Sequence, residues 1–501
     1  MSLARNSLYS LVGSTLPLMA AIVTVPLYIA TLGGERYGAL VIAWTMLGYF
    51  GQADFGIGRA LTQRIAASRD ADAATVARIV WSGISAALVL GVLLAVVTYA
   101  AANLFFSDVF KVEGELRNEL ISALGALALC SPVVMLTGAA SGALLGKEQF
   151  GVVSLGYLVS NLALQVLPLL AAMTISGDLR TLIVASLAGR GLGLLVMGGV
   201  LQARLLRGHR PSLSLQEIRR LARFGGWLMV GTLIAPLMIY SDRFVIGSFM
   251  GAAAVAAYTV PYQIAFRTLI LPESVVGVLF PRFAALDEPR ATIDGGQFSV
   301  VIAQAFAPIV IGLICLSEPL MHLWLGAQLD PRSVRVAQII LAGVWCLALA
   351  SVPWAHIQAR GSPRFTAAVV AAELPFYVLL LMALGHAFGL IGFAAAFALR
   401  GCANSIVLLQ GAKFLTRSTI VRLGLVGALV LAALAWGPYL HTWLQAVGAA
   451  MVLTFGAIVL FVHSLPTMPD EVRDTLRDLG LPSLRARPSE FGKREKPGTS
   501  P

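Results

Sequence analysis

Four arginines sit inside long apolar runs of this chain, Arg190, Arg243, Arg267 and Arg400, together with the carboxylates Asp54, Asp242, Glu273 and Glu373. A charge held near the middle of a bilayer costs at least ~2.5 to 3.5 kcal/mol, so each is a functional candidate by default. Guanidinium stays charged and grips phosphate oxygens in bidentate fashion, which suits a site for an anionic head group. On this reading Arg190, Arg267 and Arg400 line a water-filled cavity, with Arg243 and Arg59 as further cavity cations. For Arg59 and Arg243, near span ends, snorkelling to the interface competes equally. The alternative for all of them is an ion pair that merely holds helices together. Adjacent residues on a helix point ~100° apart, so Asp242 and Arg243 are expected to seek different partners.

The carboxylates have a second reading as coupling sites for a proton or ion, since burial raises a carboxylate pKa toward neutrality. Asp54, Asp242, Glu273 and Glu373 are the candidates, with Asp54 against Arg59 as the structural alternative. No residues suggest catalysis, metal binding or a cofactor. Cys130, Cys315, Cys346 and Cys402 lie in apolar stretches without CxxC spacing and read as free, buried thiols. His356, well inside a span, reads as a satisfied core residue. No phosphate-cradling Gly-Lys-Ser motif occurs, so ATP hydrolysis by this chain is not expected.

The composition explains why such charges stand out. Of 501 residues, 58% are hydrophobic and only 12% charged, with a mean hydropathy of +0.83. That leaves too little polar surface for a soluble enzyme. Backbone in lipid must satisfy its own hydrogen bonds, and these runs do not alternate as barrel strands would, so the fold class is an all-α membrane protein. Fourteen apolar stretches are expected to span, at about 7–32, 37–58, 79–102, 120–145, 151–174, 181–203, 224–249, 252–280, 298–317, 335–358, 366–385, 389–412, 421–438 and 442–464. The first is too long for a signal-peptide core and reads as an uncleaved span.

Cationic residues set the orientation. With both termini in the cytoplasm, inner segments hold 26 of the 36 Lys and Arg, and outer loops six. The longest basic loop, Arg204 to Arg223, carries a capping box, Ser214-Leu-Gln-Glu217, opening an Arg-rich helix on the inner surface.

The chain then divides into a six-helix lobe at 1–203, a basic amphipathic linker at 204–223, a second lobe at 224–412, an extra hairpin at 413–464 and a partly disordered tail at 465–501. A short amphipathic helix is expected near Asp470 to Leu479. Short matches relate the lobes: Leu32-Gly33 recurs as Met250-Gly251, and the Gly146-to-Phe150 loop recurs as Gly361 to Phe365. Six spans separate the copies, so the repeat is parallel, with a pseudo-axis along the membrane normal. Pro17, Pro26, Pro236, Pro261 and Pro272 are expected to interrupt helices where they bend.

The segments Thr31-Leu-Gly-Gly-Glu-Arg-Tyr-Gly-Ala39, Asp54-Phe-Gly-Ile-Gly58 and Tyr240-Ser-Asp-Arg-Phe-Val-Ile-Gly247 resemble, in this order, the Wzx-type lipid-linked oligosaccharide flippases. These form the polysaccharide-transporter branch of the superfamily that also holds multidrug extruders and lipid II flippases. The resemblance covers the first twelve spans. It implies two pseudo-symmetric lobes in a V, alternating access, and a polyprenyl-pyrophosphate-linked glycan such as O-antigen moved across the bacterial inner membrane. Cavity cations of the family carry over onto Arg190, Arg267 and Arg400 by chemical type and depth only. Expected partners are the lipid-linked substrate, membrane lipids, and the polysaccharide polymerase and chain-length machinery; nucleic acid is not one. An ion-coupled drug or organic-cation antiporter of the same fold is the runner-up, weakened because no carboxylate lies between Ser7 and Leu32. A membrane glycosyltransferase would need a larger outer loop than Asn103 to Glu119.

Overall fold

The computed structural model describes residues 3–52, 56–68, 71–112 and 114–464. Asp54, the tail and the helix expected at 470–479 lie outside them. Among the described residues fourteen α-helices follow one another: α1 (Leu3–Gln52), α2 (Ile57–Ala66), α3 (Ala73–Leu104), α4 (Gly114–Gly146), α5 (Phe150–Thr174), α6 (Leu179–Leu201), α7 (Leu215–Met250), α8 (Ala252–Arg267), α9 (Ile270–Ala285), α10 (Glu288–Leu325), α11 (Pro331–Ala359), α12 (Pro363–Gly411), α13 (Arg417–Trp436) and α14 (Trp443–Ser464). Among the described residues the predicted apolar stretches fall on helix apart from turns at Gly56 and at Thr268-Leu269, and nine helical segments are by themselves long and apolar enough to span. Large apolar side chains on their outer faces stand bare, such as Leu195, Leu444 and Phe455. Such faces need lipid around them.

Helices and predicted spans are not one to one, and the backbone explains the difference. The first two stretches form the single element α1, bent at Gly33 (φ 77°, ψ 164°), and the eleventh and twelfth form α12, bent at Gly389 (φ 59°, ψ −137°). The break between α7 and α8 falls at Gly251, with φ 79° and ψ −173°. The two glycines matched by sequence, Gly33 and Gly251, thus share an extended, positive-φ backbone that only glycine tolerates readily. The second matched pair needs a correction. The left-handed residue that closes α4 is Glu148, at φ 58°, whereas Gly361 closes α11 at φ 76°. In both turns the next N–H reaches back five residues, Gln149 to Leu144 and Ser362 to Ile357. Turn geometry therefore aligns the two loops two residues away from the register of their Gly-x-x-x-Phe letters.

The prolines also depart from expectation. α1 continues through Pro17 and Pro26, and α8 through Pro261. Pro272 alone adjoins a break, in the first turn of α9 where no intrahelical N–H is needed. Pro26 leaves the carbonyl of Ile22 without its helical donor, and the indole N–H of Trp324 supplies one at 2.7 Å.

Two compact units form: one gathers residues up to Gln263 with Met321–Val336 and Val370–Ala396, the other Ile264–Leu320, Ala337–Val369 and the chain from Phe397. In the first, Ile57, Leu61 and Ile65 of α2 pack with Val76 and Val80 of α3, Leu144 of α4 and Leu221 of α7. In the second, Phe283 of α9, Phe298 of α10, Ile357 of α11 and Phe414 make the core. α14 docks on α10 there: the Ser464 hydroxyl donates to Gln304 Oε1, and Gln304 Nε2 donates to the carbonyl of Leu460 at 3.5 Å.

The capping box forms by half. Ser214 Oγ accepts from the Glu217 N–H at 3.3 Å, but the Glu217 carboxylate does not return to Ser214, whose N–H donates to Ser82 Oγ instead. Glu217 takes a bidentate grip from Arg64 of α2, at 2.8 and 2.9 Å, with Arg220 a turn further on at 3.0 Å. The Arg-rich segment it opens is no separate linker helix; α7 runs unbroken from Leu215 into the seventh span.

The hydrogen bond from Arg64, its largest cause, holds the Glu217 carboxyl below the usual carboxylate range, and raises the guanidinium in return. A depressed carboxylate pKa contributes stability that is fully present above the ordinary carboxylate range and lost as pH falls through the depressed value. The α2 to α7 clasp is thus intact at neutral pH and opens in acid. Hydrogen exchange of residues 59–68 is expected to quicken in E217Q at pH 7; equal exchange in wild type and variant would show that the clasp does not hold α2.

Candidate functional site

Arg190 lies midway along α6, and glycine on both sides decides how it is presented. A Cβ at Gly189 would meet the carbonyl carbon of Ala163 at 2.8 Å, so α6 packs backbone to backbone on α5. A Cβ at Gly191 would meet nothing within 4 Å, and Val184 and Leu195 on the same face of α6 are exposed, so that side of the helix faces outward. One turn earlier, Ser186 Oγ accepts from the indole of Trp44 at 2.9 Å and ties α6 to the second half of α1. Arg190 Nε is buried without a hydrogen-bond partner. Cys130, Tyr157 and Tyr240 are near enough to act on it electrostatically, and the Tyr157 hydroxyl donates to Ser141 at 3.1 Å.

Tyr240 leads from there to a second arginine. Its ring lies 5.5 Å from the Arg243 guanidinium, which also stacks over Tyr262 at 4.4 Å. Here the structure corrects the helical-wheel expectation: Asp242 and Arg243 pair with each other. Asp242 Oδ1 accepts from the Arg243 N–H at 2.7 Å and from Nη1 at 3.3 Å, while Oδ2 accepts from the Tyr258 hydroxyl at 2.8 Å. Nη1 also donates to the carbonyl of Ile239 at 2.6 Å. A carboxylate one residue back can fold onto the next N–H, and a long arginine can double back to meet it; neither move follows the ~100° rule. Both side chains are buried, at 1% and 4% exposure, so Arg243 does not snorkel.

The remaining candidates are placed differently. Arg59 is exposed near the start of α2, after the left-handed Gly56. Arg267 is the last residue of α8 and exposed, and Glu273 is exposed in the first turn of α9. Arg400 is half-buried on α12, with its guanidinium 5.5 Å from the Phe397 ring. Glu373 is half-buried on the same helix. Cys130, Cys315 and Cys346 are buried and Cys402 is half-buried, all as free thiols. The structure therefore brings Arg190, Tyr240 and the Asp242–Arg243 pair together within one unit, while Arg267 and Arg400 belong to the other.

The tyrosines that complete this cluster were not singled out from sequence. Tyr258 and Tyr262, one turn apart in the middle of α8 and stacked at 5.8 Å, carry a readable i,i+4 signal. What the letters do not show is that they meet the motif Tyr240-Ser-Asp-Arg243 on the preceding helix.

The polysaccharide biosynthesis protein family matches residues 3–287. A Shigella flexneri protein provisionally named an O-antigen transporter is 27% identical over 417 residues, 81% of this chain and 97% of its own length. Among solved structures, the lipid II flippase MurJ in an inward closed conformation superposes with a TM-score of 0.69 at 14% identity, over 94% of this chain and 99% of its own. An inward-facing multidrug resistance MATE family transporter superposes with a TM-score of 0.64 at 15% identity, over 83% and 99%. An all-helical membrane architecture, a fold shared with these transporters and a family match over more than half its length place this multi-pass membrane protein in the polysaccharide biosynthesis protein family.

Proposed function

We propose that the chain is a flippase that carries a polyprenyl-pyrophosphate-linked oligosaccharide across the bacterial inner membrane for surface polysaccharide synthesis. The observation that carries this reading is Arg190: a guanidinium halfway along a spanning helix, whose buried Nε has no partner. An arginine kept for packing would have found a carboxylate, as Arg243 did. A pyrophosphate entering beside α6 supplies the missing acceptor, while the prenyl tail stays in lipid. Arg267 and Arg400 are the further cations of this reading, with Arg59 at its entrance, and Arg243 supports the site through its buried pair. Glu373 and Glu273 are the better coupling candidates, because Asp242 already accepts three hydrogen bonds.

The same reading has both termini in the cytoplasm, lobes at 1–203 and 224–412 that alternate access around the site, and handover of the flipped lipid to the polymerase and chain-length machinery. The Shigella relative, named for O-antigen transport, supports the substrate class.

Loss of the chain is expected to strand lipid-linked glycan on the cytoplasmic leaflet. In spheroplasts of a deletion strain, a glycan-cleaving enzyme added outside should leave the lipid-linked pool intact, and should digest it when the gene is restored. Full digestion in the deletion strain would overturn the reading, as would unchanged surface glycan accompanied by loss of ion-coupled dye efflux.

A further inference from the structure

A second polar site lies far along the chain from Arg190, where the start of α10, the end of α11 and both ends of α12 meet. A cavity of about 240 Å³ is lined there by Glu288, His356, Arg360, Ser362, Phe365 and Lys413, among others. His356 is only 5% exposed, held edge-on between the rings of Phe283 and Phe414 with centroids 5.4 and 4.9 Å away. Its Nδ1 is buried with no hydrogen-bond partner, which corrects the expectation of a satisfied core histidine. An unmet buried polar atom is costly, and a ligand in the cavity would relieve that cost.

The lining is cationic at two points. Arg360 donates one N–H to the carbonyl of Leu286 at 3.0 Å, and its Nη2 stays 3.9 Å from Glu288 Oε2, beyond hydrogen-bond reach. Lys413 adopts a left-handed backbone, φ 61°, closing α12 as its N–H reaches Gln410 at 3.0 Å and that of Phe414 reaches Leu409 at 2.9 Å.

We propose that this cavity binds a phosphate group, with Arg360 and Lys413 countering its charge and His356 donating to one oxygen. Two cations against the single carboxylate Glu288 favour an anion, and phosphate offers acceptors to guanidinium, ammonium and imidazole at once. The phosphate comes from a phospholipid head group or from free inorganic phosphate. Neither source depends on the flippase reading, and Arg190 takes no part.

The full chain, purified and placed in nanodiscs, distinguishes the sources. Wild type, K413Q and H356N would be melted with increasing inorganic phosphate, chloride serving as control. In parallel, phospholipid retained from phosphatidylglycerol or phosphatidylethanolamine would be weighed by native mass spectrometry. Lys413 is exposed, so K413Q tests the site even if H356N folds poorly. A saturable phosphate-dependent rise in melting temperature, with apparent affinity at least tenfold weaker in K413Q, supports the free-phosphate form. Retained phospholipid that falls at least several-fold in K413Q, with no phosphate-dependent shift, supports the head-group form. If K413Q matches wild type in both measurements, the proposal is wrong.

Discussion

Replacing Arg190 by alanine is expected to lower surface glycan at least tenfold at equal protein abundance, while lysine retains part of the export. A hydrogen bond to a charged group contributes about 1.5 to 3 kcal/mol, and every 1.4 kcal/mol is tenfold in an equilibrium. Alanine removes both charge and donors; lysine restores a point charge but not the planar fork that meets two phosphate oxygens. The reading separates sharply from a packing role, because Arg190 Nε contributes no hydrogen bond to the resting fold. Its removal should leave the melting temperature of the purified protein within a few degrees of wild type. Full export by R190A, at wild-type abundance, would end the assignment.

The second large effect is the reverse, on stability rather than transport. Asp242→Ala would leave the Arg243 guanidinium buried without its carboxylate, and the Tyr258 hydroxyl without its acceptor. Removing one partner of a buried pair typically costs about 3 to 5 kcal/mol, whereas replacing both by apolar side chains of similar volume is often nearly neutral. D242A is therefore expected to melt well below wild type in detergent, and the double variant D242A/R243M to recover most of the loss. Additive destabilisation in the double variant would show that the pair is not the unit holding α7 to α8.

These two outcomes trace how far letters alone reach. Apolar length located the helical stretches among the described residues, because a segment in lipid must satisfy its own backbone and only helix does so within one stretch. Gly33 and Gly251 were legible as a pair because positive φ narrows the choice of residue. Ser214 was legible as a cap because its partner is three residues away. Partners distant in sequence were not. Glu217 was expected to close its own capping box, yet it meets Arg64, 153 residues earlier, since a bidentate charged contact outweighs a second bond to backbone. Trp324 finds the carbonyl that Pro26 frees at Ile22, 302 residues away, and α1 runs on past that proline where a break was expected. Arg190, Arg243 and Arg400 look alike in a hydropathy reading; the adjacent Asp242, which helix geometry alone turned away, and Tyr258, which the fold brings to that carboxylate, make Arg243 part of the scaffold.

Reconstitution offers the most direct test of transport through a membrane-embedded guanidinium. Purified wild type and R190A would be placed in liposomes bearing a labelled polyprenyl-pyrophosphate disaccharide, and the label exposed to an impermeant glycosidase followed over time. Wild type should render nearly the whole labelled pool digestible, and R190A only the half that starts outside. Equal, complete digestion with both proteins would contradict the account.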